Sequence, residues 1–316
     1  MDSILLAIPA FILGILFLYK GSDILVEGTS KTACQLGIST MIISVVLVGF
    51  GTSAPEFAIS VGAAVQNDVY SADISLGNII GSCVANLLLV LGLSAVIRPI
   101  TVKKQVVSRE LIVVLIATLI LLGAAFFGLL DTYHIIGGIL FLISFSVCMY
   151  IFFCIARKER IEGIHCTKGE TRKNILFIIL GIIGVVGGAY LLIESAVVIA
   201  EFFDIHPLVI ALTLVAVGTS LPELVVSVVA SWKHESDIAV GNVLGSNVFN
   251  ILLILGVAGL FLNLNALASL DLILILLGVT LLMFPLLYSG KTIARWEGGL
   301  MLVIYAGFII YLSPII

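Results

Sequence analysis

The chain has 316 residues, of which 61% are apolar and only 11% charged, with a mean hydropathy of +1.29 and a formal net charge of −4. Soluble globular chains run nearer roughly 45–50% apolar and about 25% charged, and a soluble core of this size cannot hide so much apolar surface. The composition excludes a soluble globular protein and predicts an integral membrane protein.

Ten apolar segments of spanning length follow in order, at about 4–26, 38–65, 72–97, 109–130, 134–155, 174–199, 206–231, 237–262, 269–289 and 296–313. No basic region or small-residue cleavage site precedes the first, so it reads as a span and not as a removable signal. The longest polar stretch, Arg157 to Lys173, joins the fifth span to the sixth. It divides the chain into 1–156, a loop at 157–173, and 174–316. All fifteen Lys and Arg residues fall in the loops, or at the span ends, after spans one, three, five, seven and nine. That puts the basic side in the cytoplasm and both termini outside, in a cell membrane. The five cysteines (Cys34, Cys83, Cys148, Cys154, Cys166) have no metal-ligand spacing and are expected to be reduced packing residues.

The two halves repeat. Residues 21–56 align with 188–223 at an offset of 167, pairing Gly21 with Gly188 and Glu27 with Glu194. Beyond the next turn the offset is 164, pairing Gly77 with Gly241 and Asn86 with Asn250. Five spans is an odd number, so the second copy is expected upside down relative to the first. Inverted repeats of this kind characterise secondary transporters, with sites near the midplane.

Within each repeat the chemistry is concentrated in one motif, 49–86 and then 216–250. The first reads Gly49-Phe-Gly-Thr-Ser-Ala-Pro-Glu56, then Gly77-Asn-Ile-Ile-Gly-Ser-Cys-Val-Ala-Asn86. The second reads Ala216-Val-Gly-Thr-Ser-Leu-Pro-Glu223, then Gly241-Asn-Val-Leu-Gly-Ser-Asn-Val-Phe-Asn250. A charge at the bilayer centre costs about 2.5–3.5 kcal/mol on insertion scales. Glu56 and Glu223 therefore need neutralising, and every basic residue lies at the cytoplasmic side. Protons and metal ions remain. Pro55 and Pro222 break the backbone ladder and free carbonyl oxygens near Gly49–Thr52 and Ala216–Thr219. Thr52, Ser53, Thr219 and Ser220 lie three or four residues before the glutamates, and Ser82 with Asn86, like Ser246 with Asn250, share a helix face. With oxygen the only abundant donor, hard cations such as Ca²⁺ and Na⁺ fit, and two carboxylates balance one Ca²⁺. Gly77-x-x-x-Gly81 and Gly241-x-x-x-Gly245 let helices approach closely.

These paired motifs resemble the α-repeats of the sodium/calcium exchanger family, within the cation/Ca²⁺ antiporter superfamily, and the resemblance runs over essentially the whole chain. It implies an all-α membrane protein of ten transmembrane helices in two inverted five-helix repeats, with helices 2, 3, 7 and 8 discontinuous at the core. It implies a Na⁺/Ca²⁺ antiporter working by alternating access, not an enzyme, with Ca²⁺ and Na⁺ as substrates, no cofactor, no nucleic-acid partner and a monomeric chain. Glu56 and Glu223 would be the central ligands. Thr52, Ser53, Thr219 and Ser220, with the backbone oxygens of Gly49 and Ala216, would complete the sites, and Ser82, Asn86, Ser246 and Asn250 would line them. Spans one and six would slide as the gate. One departure is Asn250, where sodium/calcium exchangers commonly carry an acid while proton-coupled relatives have asparagine in both repeats. Coupling to H⁺ by the same glutamates is therefore the alternative, and a cation channel a further one. Glu27, Glu194 and Asp23 read as interfacial, and His134, His165, His206 and His234 as loop or span-end residues with no specific role. The central loop has no room for a regulatory Ca²⁺-binding domain.

Overall fold

The computed structural model describes residues 2–66, 70–102, 104–158, 171–203, 218–289 and 292–312. His165, Cys166, His206 and Ala216 lie outside the described residues, as does most of the loop at 157–173. The chain forms α1 (Asp2–Leu36), α2 (Thr40–Thr52), α3 (Ala54–Gln66), α4 (Ser71–Ile97), α5 (Lys104–Phe126) and α6 (His134–Lys158). The second half supplies α7 (Thr171–Phe202), α8 (Leu221–Trp232), α9 (Ser236–Phe261), α10 (Leu270–Ser289) and α11 (Arg295–Leu312). Helix is the expected form, because in lipid each backbone polar group must be satisfied within its own segment. Two short strands, β1 (Ile100–Thr101) and β2 (Thr292–Ile293), pair antiparallel and tie the end of α4 to the start of α11.

Among the described residues eight helices are long and apolar enough to cross a membrane, and α2 with α3, bent by 50° at their junction, meets the same criterion as a pair. The seventh expected span is described only from residue 218, where α8 is a shorter apolar helix. The expectation of discontinuous helices holds for the second span and needs correcting for the third and eighth. These contain no proline, so α4 and α9 run on without a break, each absorbing one extra residue in a π-helical turn, at Asn86–Val90 and Phe249–Ile254. A third such turn, Ser44–Val48, lies in α2.

α4 and α9 are the most deeply buried spans, whereas α1, α6, α7 and α11 present most of their apolar side chains outward, as lipid-facing helices do. α5 packs with α10, α6 with the end of α9, and α11 with the end of α4. α1 and α7 lie along each other over most of their length and run antiparallel. Gly14, Gly21 and Gly28 of α1 face in turn the backbone near Gly188 and Leu192, near Gly181 and Val185, and near Asn174 and Ile178. A Cβ at Gly188 would stand 2.6 Å from the Leu18 nitrogen and one at Gly21 2.7 Å from the Val185 nitrogen, so only glycine permits this approach. α1 ends where Gly37 turns to φ 65°, with the Ile38 amide donating to the Ala33 carbonyl at 3.1 Å.

Cys83 and Cys148 are buried free thiols and Cys154 is an exposed one, in keeping with packing roles. Cys34 is disulfide-bonded, which corrects the expectation of five reduced cysteines. It sits half-buried at the end of α1, at the rim of the helix bundle and not within its apolar packing.

Candidate functional site

Two helix breaks build the site. Ser53 (φ −77°, ψ 10°) separates α2 from α3, and Ser220 (φ −87°, ψ 6°) precedes α8 in nearly the same conformation. The following prolines lack the amide that would continue the ladder, so each break is written into the sequence. One turn later Glu56 and Glu223 point into the protein, both 0% exposed. Neither belongs to any of the ion pairs among the described residues, which are Lys31–Glu27, Arg109–Glu110 and Lys233–Asp23.

The carboxylates are held crosswise. Ser53 of the first repeat donates to Glu223 Oε1 at 3.1 Å, and Ser220 of the second donates to Glu56 Oε1 at 3.4 Å. The neighbouring long helix of each repeat adds a second donor, Ser82 to Glu56 Oε1 (3.3 Å) and Ser246 to Glu223 Oε1 (3.2 Å). Ser220 and Ser82 lie 3.3 Å apart, and Thr52 stands 3.4 Å from Ser246. One oxygen of each carboxylate is thus engaged by hydroxyls. The other, Oε2 in both cases, is buried without a hydrogen-bond partner, and so are Thr219 Oγ1, Asn86 Oδ1 and both amide atoms of Asn250. Unsatisfied buried polar groups are rare and call for an explanation. Here the orphaned atoms include one oxygen of each buried carboxylate.

Of the residues expected from the sequence, Glu56, Glu223, Thr52, Ser53, Ser82, Asn86, Thr219, Ser220, Ser246 and Asn250 are all buried, and the hydrogen bonds gather Glu56 with Ser82 and Ser220, and Glu223 with Ser53, Ser246 and Thr52, each group drawing on both repeats. The Gly49 carbonyl belongs to the Glu223 group but already accepts from Ser246 (3.2 Å), the Ser53 amide (3.2 Å) and Thr52 (3.4 Å). Gly49 also brings α2 against α9, since a Cβ there would meet the Ser246 nitrogen at 2.8 Å. Gly241 and Gly245 pack as expected, with added Cβ atoms 2.8 Å from Ser44 Cβ and 2.4 Å from the Val45 carbonyl. A Cβ added at Gly77 or Gly81 would meet nothing within 4 Å among the described residues, which corrects the expectation of a close helix approach there.

Sequence reading missed a supporting layer. Asn242 donates to the Glu223 carbonyl (3.2 Å) and to Ser227 (3.0 Å), while its side-chain oxygen accepts from Thr52 (3.0 Å). Its repeat mate Asn78 donates to the Glu56 carbonyl (3.4 Å) and to Ser60 (2.9 Å). Ser60 and Ser227 in turn donate to the carbonyls of Ser75 and Ala239. The signal was present, since Glu-x-x-x-Ser and Gly-Asn each occur twice at the repeat offsets. Asn247 was missed for a different reason. It accepts from Asn86 (3.1 Å) and donates to the Cys83 carbonyl (3.2 Å), but its repeat mate is Cys83 itself, so no symmetric pattern marks it. Neither amide atom of Asn250 has a hydrogen-bond partner.

The donors are carboxylate, hydroxyl, carboxamide and backbone oxygens. Among the described residues no group of three or more His, Cys, Asp and Glu side chains gathers as a soft-metal site. Such an all-oxygen set suits hard cations.

Comparison with known proteins agrees with this chemistry. The sequence profile of the family described as "Sodium/calcium exchanger protein" matches residues 6–154 and 173–313. The chain is 32% identical to the sodium/calcium exchanger MaX1 of Methanosarcina acetivorans, covering 95% of this chain and 97% of that one. It is 36% identical to an uncharacterized membrane protein of Methanocaldococcus jannaschii, over 96% of each. Among solved structures, the sodium-calcium exchanger NCX_Mj soaked with zero Na⁺ and Ca²⁺ superposes with a TM-score of 0.83 at 35% identity, covering 98% of this chain and 99% of that one. Because the match runs through both halves and both Gly-Thr-Ser-x-Pro-Glu motifs, the chain belongs to the sodium/calcium exchanger protein family of membrane ion antiporters.

Proposed function

We propose that the chain exchanges Na⁺ for Ca²⁺ across a cell membrane by alternating access, the two ions competing for the oxygens around Glu56 and Glu223. The observation that carries this is the set of orphaned buried oxygens at two carboxylates that no Lys or Arg among the described residues neutralises. A mobile cation removes both the charge penalty and the missing hydrogen bonds. Thr52, Ser53, Thr219, Ser220, Ser82, Asn86, Ser246 and Asn250, with the carbonyls of Gly49 and Ala216, complete the ion positions. Solved NCX_Mj structures soaked with Na⁺ and Sr²⁺, or with Na⁺ and Ca²⁺, make the same ions the natural substrates to test here.

Ten helices arranged as inverted halves, 1–156 and 174–316 joined by 157–173, with both termini outside, give the site two related approaches. The antiparallel course of α1 and α7 supports that reading. The experiment is ⁴⁵Ca²⁺ uptake into vesicles holding the purified chain, driven separately by a Na⁺ gradient and by a pH gradient. Na⁺-driven uptake is expected, and uptake under the pH gradient alone overturns it. The second outcome has its own structural motive, since Asn86 and Asn250 leave Glu56 and Glu223 as the only carboxylates in the site among the described residues. It would make the protein a Ca²⁺/H⁺ antiporter using the same glutamates.

A further inference from the structure

The α1–α7 pair meets the rest of the protein unequally. α1 packs along α8, whereas α7, its repeat mate, makes no comparable contact with α3 among the described residues. Where α1 meets α8 and α9, Leu25 and Val26 join Val226, Val229, Ala230, Ile238 and Ala239 in an apolar cluster separate from the main core. Beyond it, on the side of the basic loops, polar side chains close the seam. Lys233 pairs with Asp23 at 2.5 Å and also donates to the Asp23 carbonyl at 3.2 Å. Ser30 donates to Glu235 at 2.7 Å.

Both contacts land on one short turn, 232–235, and that turn is anchored to the body of the protein. Arg98 holds the Trp232 carbonyl (3.2 Å), and the Thr101 amide donates to Ser236 just beyond (3.2 Å). Nothing equivalent is found among the described residues of the other repeat. Asp23 corresponds to Tyr190 and Ser30 to Val197, and the segment 66–71 that mirrors the turn contains no Lys or Arg.

The helices that meet here also carry buried hydroxyls without partners. Ser22 and Thr29, seven residues apart on one face of α1, are 0% exposed and have no hydrogen-bond partner, and neither does Ser231 of α8, 2% exposed. Dry unpaired hydroxyls are unfavourable, and water entering an opened seam would relieve them. Glu223, Ser227 and Ser231 follow at four-residue intervals along α8, so one helix face leads from the proposed ion site to this seam.

We infer that Asp23–Lys233 and Ser30–Glu235 form a one-sided latch that holds α1 on the ends of α8 and α9 and biases the transporter toward the state closed on the basic-loop side. This rests on the alternating-access reading. The latch sets how often that side opens, while the ion site itself is untouched.

Hydrogen–deuterium exchange of the purified full-length chain in micelles tests it, comparing the parent with Asp23→Asn, Lys233→Gln and the swapped pair Asp23→Lys/Lys233→Asp. A partly exposed ion pair is worth a modest bias. Each single variant is expected to raise exchange about two- to fivefold in peptides spanning 22–35 and 226–235 and to lower it in 54–66, with the swap returning both toward the parent. Faster exchange at 22–35 and 226–235 with no change at 54–66 would mean local loosening only and would overturn the latch. So would no change at all, or a swap that behaves like the single variants. Vesicle transport measured in parallel separates the two ideas. A latch response in a chain that exchanges no Na⁺ for Ca²⁺ leaves the latch standing and removes the assigned ion pair. Normal exchange with no latch response does the reverse.

Discussion

Ser53 and Ser220 show how much a single hydroxyl decides here. Each bonds the glutamate of the opposite repeat, so each carboxylate is oriented by a residue about 165 positions away in sequence. Charge and hydrogen bonding can be separated at this scale. Glu56→Gln and Glu223→Gln keep the shape but remove the charge and turn one acceptor oxygen into an NH2 donor, so each is expected to reduce exchange at least a hundredfold with folding intact. Retained exchange in both, measured beside an unchanged size-exclusion profile, would overturn the site assignment. The supporting asparagines make a finer prediction. Asn242 is fully buried and serves three partners, whereas Asn78 is half-buried and serves two. Asn242→Ala strands more buried groups and is expected to cost about 1–3 kcal/mol, more than Asn78→Ala. Thermal melts of the two in the same detergent check the order. The carboxylates and flanking hydroxyls were legible in the sequence because proline and glutamate recur at a fixed offset. The Asn86–Asn247 bond was not, because its repeat mate is a cysteine that breaks the symmetry.

Among the helices, glycine governs approach. Gly245 puts α9 against α2 so closely that an added Cβ would stand 2.4 Å from the Val45 carbonyl and 2.7 Å from its Cα. Both are backbone atoms, so no side chain can rotate away, and the helices must separate. Gly245→Ala is expected to lower the melting temperature and to weaken Ca²⁺ exchange through displacement of Ser246. Gly278→Ala in α10, with nothing within 4 Å of the new methyl among the described residues, serves as the control and is expected to be neutral or slightly stabilising. A Gly245→Ala variant as stable and active as that control would show that α9 has room to spare. The small-x-x-x-small spacing made this packing readable in advance for Gly241 and Gly245. The π-helical turns were not readable, since no proline or glycine signals them and the extra residue is accommodated only once neighbouring helices are in place.

Across the whole molecule, α1 and α7 form one antiparallel unit laid over the rest. If that unit moves as a body, joining its two helices leaves transport intact. A disulfide between Gly14→Cys and Leu192→Cys tests this, because a Cβ at Gly14 would lie 2.9 Å from Leu192 Cβ, nearer than the roughly 3.8 Å of a relaxed bridge, so the helices need only ease apart. Oxidised and reduced protein are expected to exchange Ca²⁺ at similar rates. A block that reductant reverses would mean that α1 and α7 must slide past each other. Hydropathy and the one-sided basic loops made the spans legible. The contacts that distinguish one face from the other were not, because Asp23 and Ser30 meet their partners across more than 200 residues of chain.

The exchange of serines between repeats also bears on how the molecule comes into being. A half-chain inserted alone would bring its glutamate into the bilayer while the hydroxyl that steadies it belongs to a segment not yet made. During biosynthesis the first half of the chain therefore waits in an unfinished state, with Glu56 lacking its Ser220 contact, until α8 arrives. Separately produced halves should be short-lived singly and persist only when co-expressed.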